Sequence, residues 1–194
     1  MDTIDFKRIL KAEGTFCPSD ELIDRILDAA EPVNLRPKET LIGYGETNKD
    51  IYIVKDGILQ LLYFDGEKEV TFGFAFPGTV LLSPHAFYMN EPAVMQIESC
   101  NIPSTVLHIT KSKFDSFAEK SHEFALWMFN LAIGQIYTSE LKVTYVSGTA
   151  EDRYKRLLKI RPDIVTAISA NRLASYLGIT PSYMCKLRRK LLYE

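Results

Sequence analysis

The 194-residue sequence predicts an α+β chain: an antiparallel β sandwich or barrel with flanking helices, then a long helix, then a C-terminal helix-turn-helix. Three observations carry this reading. Asp-Gly and Pro-Gly turns punctuate short β-branched and aromatic runs from Val33 to about Ile109. From about Ser121 to Ser147 apolar residues recur at helical spacing on more than one face. From Ser169 to Leu192 two short helical patterns stand on either side of Gly178.

Residues 3–30 look helical. Ser19, after Pro18, is placed to cap the stretch Asp20–Ala30, whose Leu22, Ile23, Ile26 and Leu27 share one apolar face. Ile51-Tyr-Ile-Val54 and Ile58–Phe64 flank Asp56-Gly57, and Glu69–Phe76 follows Asp65-Gly66, so both read as hairpins. Helix resumes at Lys111, first around Phe114 and Phe117. In the long segment Phe124, Trp127, Met128, Leu131, Ile133, Ile136, Tyr137, Leu141 and Tyr145 are too widely spread for one stripe. Such a helix is covered twice, by the β domain and by the same helix of a second subunit, with a monomer core helix as the alternative. Trp127, Leu131, Gly134, Leu141 and Tyr145 are the candidate dimer positions. Ser147-Gly148-Thr149 reads as a hinge. The chain thus divides into a β domain over 1–120, a dimerisation helix and hinge over 121–148, and a helix-turn-helix domain over 149–194.

In the last segment Leu173, Ala174 and Leu177 place an apolar stripe on a first helix, and Ala174 is small where a second helix must approach. Gly178 supplies a turn residue that tolerates left-handed backbone. Thr180 caps the next helix and Pro181 opens it, where a missing N–H costs nothing. Met184, Leu187 and Leu191 face inward. At about 100° per residue, Ser182, Lys186 and Arg189 then lie opposite, with Cys185 and Lys190 flanking them. Thr180, Tyr183 and Arg172 stand near helix starts, where DNA phosphates are gripped. Arg188 falls close to the buried edge. A solvated basic hairpin is the bland alternative, but the joint spacing of Ala174, Gly178, Ile179, Met184 and Leu187 fits a major-groove reader.

Charge agrees with this division. The chain is nearly neutral overall, at a formal −2, yet residues 150–194 hold ten Lys/Arg against four Asp/Glu. The remaining thirteen basic residues face twenty-one acidic ones, so a basic module is joined to an acidic one. Cys17, Cys100 and Cys185 are odd in number and widely spaced, which suggests neither a zinc site nor a disulfide framework and favours a reducing cytoplasm. The charged start of the chain lacks a signal-peptide core, and the apolar run Phe124–Ile136 is too short and interrupted to span a bilayer. A cytoplasmic protein with no membrane partner is expected.

The whole pattern resembles the Crp/Fnr transcriptional regulators. Gly43-Tyr-Gly-Glu46, Ile51-Tyr-Ile-Val-Lys-Asp-Gly57 and Phe76-Pro-Gly78 look like that family's glycine turns, and Glu151–Leu158 looks like the helix entering its DNA-binding domain. Arg161-Pro162 through Pro181 is similar to a short, nearly wingless form of that domain. The resemblance implies a cyclic-nucleotide-binding-like β-roll (a double-stranded β-helix), a homodimer, a near-palindromic double-stranded DNA operator and RNA polymerase as a further partner. It also implies a small-molecule effector, which the sequence does not identify.

The ligand cassette departs from the family. Pro77-Gly78 is followed by Thr79-Val-Leu-Leu-Ser-Pro-His85 with no acidic residue, and Glu91-Pro-Ala-Val-Met95 stands where the family's phosphate-binding arginine belongs. No Lys or Arg occurs from Glu69 to Thr110. A buried phosphate left without a cation costs several kcal/mol, so cyclic AMP is not the expected effector. Three scattered cysteines cannot hold an iron–sulfur cluster. His85 and His108 are candidate haem ligands, more simply read as hydrogen-bonded core histidines. Phe72, Phe74, Phe76, Phe87, Tyr88 and Met95 are roll core or, less simply, the lining of an apolar pocket. Family members commonly carry a glutamate at the position of Ser182 and an arginine at that of Lys186, so the usual half-site is not implied. No cofactor, metal or catalytic residue is expected. A cupin-like metal enzyme would need a His cluster that His85, His108 and His122 do not form. The remaining alternative is a dimeric interaction module that no longer binds DNA.

Overall fold

The computed structural model describes residues 3–12, 14–145, 148–160 and 168–192. Two helices, α1 (Thr3–Ala12) and α2 (Asp20–Ala29), precede eight strands. These are β1 (Glu31–Leu35), β2 (Thr40–Ile42), β3 (Ile51–Asp56), β4 (Leu59–Asp65), β5 (Lys68–Ala75), β6 (Val80–Leu81), β7 (Gln96–Ser99) and β8 (Ser104–Ile109). A single π-helical turn, His85–Met89, separates β6 from β7. Two four-stranded antiparallel sheets result, in the orders β1-β8-β3-β6 and β2-β7-β4-β5. Then come α3 (Lys111–Lys120) and the long α4 (His122–Tyr145).

Strand β3 shows why its sequence is a continuous apolar run. Tyr52 and Val54 point between the two sheets, where they meet Leu59, Ile97 and Val106. Ile51 and Ile53 point the other way, onto Phe6, Ile23, Ile26, Phe124 and Trp127 of the helices. A strand covered on both faces needs no polar alternation. At the β3–β4 turn Gly57 has φ +85°, and a Cβ there would stand 2.7 Å from the Ser104 backbone. Only glycine fits.

The helical start is a pair of helices. Ser19 caps α2 as expected, its Oγ accepting from Leu22 N at 3.2 Å, and Glu123 of α4 accepts from the Ser19 amide at 2.6 Å. Between α1 and α2 the backbone is held from α4: Asn130 Oδ1 accepts from the amides of Thr15 and Phe16 at 2.8 and 3.1 Å. Asn130, a polar interruption in the sequence, is therefore the anchor of this link.

The aromatic set expected to form roll core or a pocket is dispersed. Phe72 and Tyr88 are exposed, Phe87 packs edge-on against Phe114, and Phe74 and Phe76 pack toward the C-terminal helices. Period-two alternation explains the first: Phe72 follows buried Thr71 on β5 and so faces solvent. His108 Nε2 lies 2.8 Å from Asp50 Oδ2 and its ring stacks on Tyr52; His85 Nδ1 faces Glu91 at 3.7 Å. Asp50 also accepts from the Lys111 amide at 2.9 Å, so His108 belongs to a structural network at the start of α3. Among the described residues no helix is long and apolar enough to cross a membrane.

Candidate nucleic-acid interface

Helices α5 (Ala150–Ile160), α6 (Ala170–Tyr176) and α7 (Pro181–Leu192) build the C-terminal unit. Thr149 and Asp152 cap α5 reciprocally: Thr149 Oγ1 accepts from the Asp152 amide at 3.2 Å, and Asp152 Oδ2 accepts from the Thr149 amide at 3.1 Å. The Thr149 hydroxyl, donating to Asp152 Oδ2 at 2.6 Å, and then the Thr149 amide hold the Asp152 carboxyl below its ordinary range. Of the three expected hinge residues, Thr149 is thus a cap, Gly148 has φ +121°, and Ser147 lies outside the described residues. Arg161-Pro162 lies outside them too.

Ser169 caps α6, its Oγ accepting from Arg172 N at 3.4 Å. Leu173 and Ala174 of α6, Leu177 at its C-terminal cap, and Met184 and Leu187 of α7 are buried together with Tyr154 of α5 and Ile168. The turn is tight: Gly178, at φ +66°, donates to Ser175 O at 3.1 Å, and Ile179 donates to Ala174 O at 2.9 Å. Thr180 Oγ1 accepts from the Tyr183 amide at 3.2 Å and closes the start of α7. Burial of Met184 and Leu187 turns the opposite face of α7 outward, where Ser182, Cys185, Lys186 and Arg189 are all exposed. Tyr183 is also exposed, and Arg188 is half-buried as the spacing predicts. Ser182 Oγ lies 3.1 Å from Thr180 Oγ1.

Two of the candidate DNA contacts are engaged elsewhere. Lys190 Nζ donates to Glu151 Oε2 at 2.7 Å, tying α7 to α5; with Lys155 it draws the Glu151 carboxyl below its ordinary value. Arg172 points to the roll, not to open solvent: Nη1 is 2.7 Å from Glu69 and Nη2 is 3.4 Å from Glu98. Sequence spacing alone gave no sign of these carboxylate partners, which come from β5 and β7.

The long helix presents two apolar faces, though not with the positions first assigned to each. Trp127 is 1% exposed and sits in the core beneath the roll, and Leu131 packs against the same cluster. Both belong to the inner face. The outward residues are Leu126, Phe129, Ile133, Ile136 and Tyr137, all exposed, and at 100° per residue the two sets lie about 150° apart. Gly134 is half-buried, with open space where its Cβ would be. The side chains of Leu141 and Tyr145 lie outside the described residues.

Burial pushes the Cys100 thiol up to about 12, helped by the Glu98 charge, whereas Cys17 and Cys185 are exposed. Among the described residues no group of three His, Cys, Asp or Glu side chains converges as metal ligands.

Comparison with other proteins follows this geometry. Residues 32–121 match the cyclic nucleotide-binding domain family. Against curated proteins the sequence has no match. Among solved structures, FixK2 from Bradyrhizobium japonicum superposes with a TM-score of 0.70 at 16% identity, covering 84% of this chain and 85% of that one. A CooA mutant from Carboxydothermus hydrogenoformans gives 0.69 at 15% identity, covering 94% and 88%. The regulator CLP from Xanthomonas campestris, described as responsive to c-di-GMP, gives 0.70 at 14% identity, covering 90% and 92%. The eight strands and the helices that follow them thus combine a domain of the cyclic nucleotide-binding family with the fold of the Crp/Fnr regulators.

Proposed function

We propose that this chain is a sequence-specific DNA-binding transcription regulator acting as a homodimer, and that its effector is not a cyclic nucleotide. The observation that carries the reading is α7. Its apolar side is locked by Met184 and Leu187, and Ser182, Lys186 and Arg189 are left exposed on the other. A short helix presented this way, after a tight glycine turn, suits the major groove, where side chains from its first turns reach base edges. The roll, the dimerisation helix and the helix-turn-helix act as three units over 1–120, 121–148 and 149–194.

The outward stripe of α4 supports the dimer. Leu126, Phe129, Ile133, Ile136 and Tyr137 recur at intervals of three and four, the seam of a helix pair. A two-fold contact uses that stripe twice and sets two reading helices about one DNA turn apart, roughly 34–36 Å. Such a dimer reads an inverted repeat.

The cation-free stretch Glu69–Thr110 speaks against a phosphate ligand in the roll. Lys111, which follows it, is taken up by Asp115 at 2.6 Å and stands 4.7 Å from the Phe87 ring centre. The test is selection of duplexes from random double-stranded DNA, followed by titration of the selected site at several salt concentrations. A recovered inverted repeat, bound far more tightly than bulk DNA, is expected. Failure to select any sequence, with a dimer still present, would favour the interaction module.

A further inference from the structure

Helix α6 lies across the outer face of the sheet β2-β7-β4-β5, where an apolar cluster that buries Ile58 and Cys100 of the roll with Leu173 and Ala174 is flanked by a polar patch. Arg172, Ser175 and Tyr176 share one side of α6 at spacings of three and four. Arg172 is held between Glu69 of β5 and Glu98 of β7. Glu98 is itself fixed, accepting from Gln60 Nε2 at 2.5 Å and from Gln96 Nε2 at 2.7 Å. Ser175 Oγ accepts from the Thr71 amide at 3.0 Å, and the Tyr176 ring meets Phe74 at 5.3 Å between centroids.

We propose that Arg172 is a positioning residue: its clamp on Glu69 and Glu98 sets the orientation of the helix-turn-helix on the roll and thereby the half-site spacing a dimer accepts. The proposal rests on the DNA-binding reading above and departs from the expectation that Arg172 grips a phosphate. A phosphate would have to displace two carboxylates, one of them nearly buried, and would leave Glu98 without its counter-charge. The clamp does not cover the reading face, because Lys186 and Cys185 remain exposed on α7 while the Arg172 side of α6 faces the sheet.

The apolar cluster of the seam supplies adhesion, and the polar patch beside it supplies direction. Among the described residues, Gln60 Oε1 and Thr71 Oγ1 are buried with no hydrogen-bond partner. A partly satisfied polar patch adds little net stability of its own, yet its directional bonds restrict how the apolar surfaces beside it can seat. The clamp is also tied to the roll interior. Glu98 faces the helix-turn-helix, while its neighbour Ile97 packs between the sheets, so any repacking there that shifts β7 moves the clamp carboxylate.

The test uses the full chain and a duplex selected from random DNA by the unmodified protein. Arg172→Met removes the charge, and the pair Glu69→Gln with Glu98→Gln removes its partners while retaining hydrogen-bonding groups. Both variants should bind the selected two-half-site duplex about tenfold more weakly, the scale of one charge-assisted contact. Both should lose the preference for the selected spacing when one base pair is inserted or removed between half-sites. Binding to a single half-site, and its salt dependence, should stay as in the unmodified protein. Independently of DNA, hydrogen exchange at the Thr71 amide should quicken in both variants. If Arg172→Met weakens all DNA alike and lowers the salt slope by about one, while the double variant binds more tightly, Arg172 is a phosphate contact and the clamp is overturned. Tighter binding by both variants would make the seam a brake and equally overturn it. Unchanged Thr71 exchange refutes the clamp whatever the DNA result, whereas failure to select any duplex counts against the DNA-binding reading alone.

Discussion

Replacing Phe129 by glutamate should dissociate the dimer without unfolding the subunit. Phe129 is 65% exposed on the outward stripe of α4. A phenylalanine side chain presents about 200 Å², so about 130 Å² of it faces outward in one subunit. The two-fold axis doubles this to about 260 Å², or about 6.5 kcal/mol at 25 cal/mol per Å² if all of it is covered. Covering only half still leaves about 3 kcal/mol, which is at least about a hundredfold in the dissociation constant. Desolvation of two carboxylates adds to the loss. Sedimentation velocity over a micromolar concentration series reads the shift directly. The unmodified protein should sediment as a dimer and Phe129→Glu as a folded monomer with unchanged circular dichroism. Trp127→Ala is the contrasting control: it opens the intrachain core, so it should lower the melting temperature by a loss of about 3–5 kcal/mol rather than shift the assembly state. Indistinguishable sedimentation of Phe129→Glu and the unmodified protein would refute the assignment of the outward stripe, and a monomeric unmodified protein would refute the dimer itself.

Further outcomes follow from the same contacts. Lys186→Ala should cost about 1–3 kcal/mol on the selected site and relax one base position, measured by gel shift against a substituted set; equal weakening on all sequences would make Lys186 a phosphate contact instead. Gly178→Ala forces a Cβ into left-handed backbone at φ +66° and should cost about 1–2 kcal/mol of stability in a denaturant melt, although nothing crowds that Cβ. Under native conditions a maleimide should modify Cys17 and Cys185 but not Cys100, whose thiol is buried and stays protonated at neutral pH; bound operator should protect Cys185. The Glu151 carboxyl is held low by Lys190 and Lys155, so its contribution is complete above the unfolded value near 4.3 and is lost as pH falls through the lower folded value. Proteolysis of the α5–α7 contact should therefore quicken below about pH 4 and not between pH 6 and 8. Calorimetry with cyclic AMP or cyclic GMP should show no specific micromolar binding; a saturable heat would sink that reading.

The order of elements was legible because each is specified locally. Asp-Gly turns, the Ser19 cap, and the Gly178-Ile-Thr-Pro181 turn need only their own neighbours to be recognised. Burial on α7 was legible for the same reason, since a 3.6-residue period fixes which side chains share a face. What was not legible depends on packing across the chain. Trp127 and Phe129 are both apolar positions on one helix, and only the arrival of α1, α2 and the outer sheet face decides which of them is inside. Asn130 interrupts an apolar helix, and its partners, the amides of Thr15 and Phe16, lie more than a hundred residues away in sequence. Arg172 looked like a phosphate ligand because its two carboxylates are about seventy to a hundred residues away in sequence, at spacings no local rule addresses.

The charge asymmetry of the chain acquires two uses in this arrangement. Read alone, ten basic against four acidic residues after position 149 describe a module that seeks phosphates. In the fold, part of that excess is already committed inside the protein: Arg172 to the acidic roll, Lys190 and Lys155 to Glu151. Lys186 and Arg189 on α7 stay exposed, and under the proposed function they are the part that would meet DNA. An acidic roll beside a basic reader disfavours approach of a duplex to the roll, so the same charge distribution that clamps the helix-turn-helix would steer DNA toward the C-terminal unit. Added salt weakens both effects, though not equally. The Arg172–Glu98 contact is shielded by the seam while Lys186 and Arg189 stand in solvent, so raising ionic strength should release DNA before it loosens the clamp.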